Sequence, residues 1–266
     1  MKKKNTALVI LNTVTLFIML CANYAGIAGI FSKLSVADVS HKYDTLFAPA
    51  GYAFIIWGFL FLLAVGFVFY QWMLLKKNDP QQYIKRTGIW FTVSNITNAA
   101  WLFFWTNEMM GWSVILILFL LLSLVILSIR LRLELDDEPV RNIFFVWWPI
   151  TFYLGWIMVA TIACIAAWLV SLHLQNYYLP ANTWTIIMIA IACLLYSTLI
   201  IKRNMREAAL AGIWAFMAIA VRQRSSHNGI FIAAFIASLI LITSSIIHVY
   251  KNRFYNIGPK LKRGEW

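Results

Sequence analysis

The chain has 266 residues, 62% of them hydrophobic and 12% charged, with a mean hydropathy of +0.77. Soluble domains are about 45–50% apolar and about 25% charged, so lipid must cover part of this surface. A net charge of +12 would point to nucleic acid in a soluble protein; here the layout of the charges gives a different cause.

The apolar residues form blocks near 7–31, 51–75, 88–106, 111–130, 143–172, 182–201, 207–222 and 229–250. Blocks of this length satisfy their backbone groups in hydrocarbon as helices, not as barrel strands. The expected fold is an all-α polytopic membrane bundle of eight spans. The seventh block is the weak one: its unbroken run is Ala208 to Val221, and it spans only if Arg203, Arg206, Arg222 and Arg224 snorkel to the interfaces.

Eight spans with Met1 inside put 18 Lys and Arg in the cytoplasm and four outside (Lys33, Lys42, Arg222 and Arg224), the 22 cations of the chain. The positive-inside rule favours this layout, with both termini cytoplasmic, and it accounts for the net charge without nucleic acid. No transit sequence precedes the first block, and a bacterial inner membrane is the expectation. Lys2–Lys4 resembles a signal n-region, but the following apolar run exceeds a typical h-region, so it reads as a retained helix. Its Ala22-x-x-x-Gly26 and Ala25-x-x-x-Gly29 spacings read as faces for close helix contact.

Enzymatic motifs are missing: there is no Walker loop, His-Glu-x-x-His or nucleophile elbow. No ionisable side chain other than Tyr or Cys sits in the middle of the first six blocks, which disfavours ion-coupled transport. Cys21, Cys164 and Cys193 lie inside apolar blocks and read as small hydrophobes. His41, His173, His227 and His248 fall at joints or span ends; His41 and His173 could hold a metal at a pocket mouth, but interfacial histidines are the plainer reading. Asn95 and Asn98 share one helix face, serving a ligand pocket or interhelical bonding, and Asn12 and Asn23 pose the same choice. Trp72, Trp90, Trp147, Trp148 and Trp184 sit at span ends as an aromatic belt, whereas Trp57, Trp101, Trp112 and Trp156 lie within or just inside spans. Those four serve either ordinary packing or a slot for a flat apolar ligand.

The second block carries Ala48-Pro49-Ala50-Gly51-Tyr52-Ala53-Phe54-Ile55-Ile56-Trp57-Gly58; the third and fourth carry Asn98-x-x-Trp101, Phe103-Phe104 and Met110-Gly111-Trp112. The fifth carries Trp148-Pro149, Tyr153-Leu154-Gly155-Trp156, Ala160 and Trp168. In this order the segments resemble the TspO/MBR family of tryptophan-rich sensory or translocator proteins, over about residues 7–170. The resemblance implies a five-helix unit (residues 1–175) and leaves residues 176–266 as an extension with three transmembrane helices and a basic tail. It implies a pocket inside the five helices, lidded by the joint at about 31–50 with Pro49 and His41. Trp57 and Trp156 would flank the ligand, with Asn98, Trp101, Trp112 and Ala160 around it. The ligand class it implies is a tetrapyrrole (porphyrin or haem) or a sterol, with no required cofactor, no resident metal and no catalytic residue. Light-dependent porphyrin breakdown belongs to some relatives, and a homodimer is their common state. The sequence departs from the family where its double proline is Pro49-Ala50, where its Trp-Pro is Trp101-Leu102, where its Leu-Asn is Ala163-Cys164, where the apolar Ile115-Leu116-Ile117 replaces an acidic residue, and in the Trp101–Trp112 spacing, which differs by a residue. A carrier for a neutral solute and a non-catalytic scaffold are the competing readings.

Overall fold

A computed structural model describes residues 2–77, 82–174, 176, 179–252 and 257–266, and no strand occurs among them. Twelve helices follow in chain order: α1 Lys2–Ile27, α2 Val36–Lys42, α3 Ile56–Lys77, α4 Gln82–Thr87, α5 Trp90–Thr106, α6 Met110–Leu131, α7 Val140–Asn142, α8 Trp148–Ser171, α9 Ala181–Arg203, α10 Arg206–Gln223, α11 Asn228–Lys251 and α12 Ile257–Lys262. Eight of them are long and match the eight apolar blocks. Among the described residues, six helical segments are long and apolar enough to cross a membrane. The other two long helices fall short: α5 has 17 residues, and α10 has 18 and carries Arg206, Glu207 and Arg222.

Local chemistry sets the boundaries. Gly29 lies past the end of α1 with φ +71, where Ile30 N donates to Ala25 O. That left-handed position suits glycine, so Gly29 ends the helix and does not pack it. Gly26 does pack: a Cβ there would stand 3.0 Å from Leu102 of α5. Ser35 and Asp38 form a reciprocal capping box that starts α2. Pro149 has no N–H to donate one turn back, and the ladder before it widens into a π turn over Ile143–Trp147. Segments 140–171 thus run as one continuous rod.

Polar seams join the helices. Asn12 Nδ2 donates to Gln71 Oε1 (2.9 Å) and Thr92 Oγ1 donates to Asn12 Oδ1 (2.9 Å), tying α1, α3 and α5 together. Asn95 Nδ2 donates to Thr15 Oγ1 (3.3 Å), and Asn23 Nδ2 to Asn98 Oδ1 (2.9 Å). All four asparagines therefore bond across to neighbouring helices, the role that buried amides commonly take in lipid.

The three later helices are joined to the first five at very short range. A Cβ on Gly155 of α8 would lie 2.4 Å from the Ala208 carbonyl oxygen of α10. One on Gly212 would lie 2.5 Å from the Tyr196 ring of α9, whose hydroxyl donates to Gly155 O (2.6 Å). Small residues here let backbones meet where lipid offers no hydrophobic drive between helices. Two expectations change on this packing. Trp147 is buried in the core instead of lying in an interfacial belt. Arg222 does not reach out to snorkel; it turns back to Asp44 and the Ala48 carbonyl.

Candidate functional site

Three helices bring indoles to one point. Trp57 starts α3, Trp101 and Trp105 lie one turn apart on α5, and Trp156 comes from α8. Trp57 stacks on Trp101 (6.0 Å between centroids, 27°), and Trp101 on Trp105 (5.7 Å, 23°). Trp156 meets Trp57 edge-to-face (6.3 Å, 87°) and Phe54 likewise (6.4 Å, 86°). Both arrangements suit the ring quadrupole.

These rings wall a cavity of about 40 Å³, together with Ala160, Ala163 and Cys164 of α8. Its roof is the joint after α1: Val36, Ser40, Tyr43, Thr45 and Pro49 all line it. The roof is held on this side by Trp105 Nε1 donating to Val36 O (3.2 Å) and by a Lys42–Glu108 ion pair (2.5 Å). Burial, and next the Glu108 charge, push the Tyr43 hydroxyl above the ordinary phenol range. Tyr43 is therefore a neutral group at neutral pH.

Of the residues that the sequence singled out, Trp57, Trp101, Trp156, Ala160 and Pro49 line the cavity. Asn98 is fully buried beside it and pairs with Asn23. Trp112 stands apart: it is 56% exposed on the outer face, in a separate cleft with Trp168. His41 lies on α2, exposed above Gly51, and belongs to the roof without lining the space below. Trp57 and Trp156 touch one another. A flat guest sandwiched between two rings needs them parallel and about 7 Å apart, twice a contact distance, so these two do not flank a slot in this closed form. Trp105, Phe54 and Cys164 were missed. Trp105 was legible as the i+4 neighbour of Trp101, and Cys164 as the i+4 neighbour of Ala160.

Two buried polar atoms in the cavity wall have no hydrogen-bond partner, the Trp156 indole nitrogen and Thr45 Oγ1, while the Trp101 indole faces the Cys164 thiol and Asn98 faces the Tyr153 hydroxyl. Buried polar groups are rarely left so. The Trp156 N–H is thus an unpartnered donor at the edge of an aromatic box.

Larger spaces lie beside it and at the far end of the bundle. An apolar groove of about 600 Å³ lies between α8 and α9 and is lined by Leu169, Val170, Trp184 and Met188, with Asp44 to Phe47 along one edge. Thr45 belongs to the walls of both groove and cavity. At the basic end, a charged cavity of about 510 Å³ is lined by Glu134, Lys202, Arg203, Arg206, Glu207 and His248 among others. Burial, and next the charge of Glu207, hold the Glu134 carboxyl well above the usual carboxylate range, against Arg206 and Lys260. No group of three or more His, Cys, Asp and Glu suited to a metal occurs among the described residues.

A helical bundle with six segments fit to cross a bilayer and a roofed aromatic cavity is an integral membrane protein. The chain belongs to the TSPO-like protein family, which it matches over residues 9–247. The matched stretch takes in α9, α10 and nearly all of α11 as well as the five-helix part. No curated protein and no solved structure matches it.

Proposed function

We propose that this protein is a non-catalytic membrane receptor for a flat, lipophilic ligand of the tetrapyrrole or sterol class, bound in the aromatic cavity under the roof of residues 36–50. The observation that carries this reading is the convergence of Trp57, Trp101, Trp105 and Trp156 from three helices on one roofed space, with the unpartnered Trp156 N–H and Thr45 hydroxyl in its wall. Ring burial would supply affinity, and the Trp156 N–H and Thr45 hydroxyl would orient acceptors on the guest. A ligand of drug size needs about 300–1,000 Å³, whereas the closed cavity of about 40 Å³ has room for about three waters. Binding therefore requires the roof to lift and the Trp57–Trp156 contact to part.

The test is a titration of detergent-solubilised protein with protoporphyrin IX, following tryptophan quenching and the Soret band. Saturable binding is expected, weakened about tenfold or more in Trp57→Phe/Trp156→Phe, the loss of two ring contacts. Equal, unsaturable partitioning into wild type and the double variant would remove tetrapyrroles from the reading. Repetition with a fluorescent sterol then decides the second ligand class.

A further inference from the structure

Residues 44–53, the strap that completes the roof, have a second neighbour besides the cavity. Their polar groups are taken up by one helix, α10. The Asp44 carboxylate pairs with Arg222 Nη2 (2.5 Å), and Leu46 O accepts from Gln223 Nε2 (2.9 Å). Ala48 O accepts from Arg222 Nη1 (3.2 Å), Ala50 N donates to Ala218 O (3.2 Å), and Ala53 O accepts from Trp214 Nε1 (3.0 Å). Trp214, Ala218 and Arg222 are four residues apart in turn, so one face of α10 meets the strap rung by rung. The preceding helix α2 is tied elsewhere, to α5 and the α5–α6 joint, through Trp105 and Glu108.

The strap is also a partition. Thr45 faces both the aromatic cavity and the lateral apolar groove, and its buried hydroxyl has no partner. Below it α8 presents Ala163, Ala166 and Ala167, whose single methyl groups fill little of the wall. A displaced strap would merge the two spaces. Arg222 is the rung that spans two strap positions: one nitrogen of its fork holds a side chain and another a backbone carbonyl. Asp44 is largely exposed, so that ion pair alone is a weak tie; the joint grip on Asp44 and Ala48 is what fixes the strap.

We infer that α10 is a latch on the strap, and that release of Arg222 opens the aromatic cavity sideways into the groove between α8 and α9. This rests on the reading of the cavity as the ligand site, and gives the helices beyond the five-helix unit control over access to it.

Two buried native cysteines report on the latch without any ligand. Cys164 lines the cavity, and Cys193 lies between α9 and α11 with its thiol toward Ala237 O. In a Cys21→Ala background, N-ethylmaleimide alkylation of both is followed by peptide mass spectrometry. Arg222→Gln should raise the Cys164 rate about fivefold and leave Cys193 unchanged. An equal rise at both sites would mean general loosening and would overturn the latch; so would no change at either. If Arg222→Gln fails to fold, Arg222→Lys keeps the charge near Asp44 but lacks the fork, and a selective rise at Cys164 is again required. Protoporphyrin IX association, measured by stopped flow, should accelerate in step with Cys164. A selective Cys164 response in a protein that binds no protoporphyrin would sustain the latch and sink the tetrapyrrole pocket.

Discussion

Gly155→Ala tests how closely α8 and α10 approach. The added Cβ would lie 2.4 Å from Ala208 O and 2.7 Å from Ala208 Cα, both backbone atoms. Ordinary contact begins at 3.4 Å, so the helices must part by about 1 Å, and no rotamer change can absorb the clash. Overpacking of this kind costs about 1–3 kcal/mol. Parting the helices also strains the Tyr196 bond to Gly155 O, worth about 1 kcal/mol. Alanine returns up to about 1 kcal/mol in helix propensity. The balance is a loss of about 1–3 kcal/mol, or roughly 2–12 °C in Tm for a chain of this size. Gly58→Ala is the matched control, because nothing lies within 4 Å of its Cβ; it should be neutral or slightly stabilising. Thermal unfolding in detergent, read by tryptophan fluorescence and by circular dichroism, decides the matter. A Gly155→Ala protein melting within about 1 °C of wild type would refute the close approach.

Other outcomes follow from the same contacts. Asn12→Ala leaves Gln71 Oε1 and Thr92 Oγ1 without their shared partner and should cost about 1–2 kcal/mol; a loss under about 0.3 kcal/mol would mean that the amide does not bind the helices together. Glu134 binds its proton more tightly when folded than unfolded, so stability should fall as pH rises from the unfolded carboxyl value toward the higher folded one. Glu134→Gln should lessen that fall and raise Tm at pH 7.5, the raised Glu207 keeping the remainder; a pH–Tm curve unchanged by the substitution would contradict the burial of that carboxyl. Trp112→Phe should leave protoporphyrin affinity within about twofold of wild type, since Trp112 faces outward; a loss as large as that of the Trp57/Trp156 variant would move the site.

The helices were legible because hydrocarbon imposes a long period on the sequence, and each apolar block became one long helix. The cavity was partly legible. Trp57, Trp101 and Trp156 carry a motif, and motif spacing survives as geometry when the residues sit mid-helix on inward faces. Trp112 opens α6 and stands outside the cavity, where a one-residue change in the α5–α6 joint rotates a side chain by about 100° around the helix axis. Gly29 was misread for a related reason: a small-residue spacing has no meaning past the last helical turn. The bonds of Arg222 to Ala48 and of Gln223 to Leu46 were invisible, because their partners are backbone carbonyls, which any sequence supplies.

The bond from Arg222 to Ala48 spans 174 residues. At a synthesis rate of about 5–20 residues per second, the strap waits roughly 10–35 s for the helix that holds it. Within that interval α3 to α8 are made, and between the end of α8 at Ser171 and Arg222 the roof has nothing on its far side to grip for roughly 3–10 s. With α10 as the latch, the nascent protein would pass through a stage in which its aromatic box stands open, and a guest captured then would be enclosed by the arrival of α10.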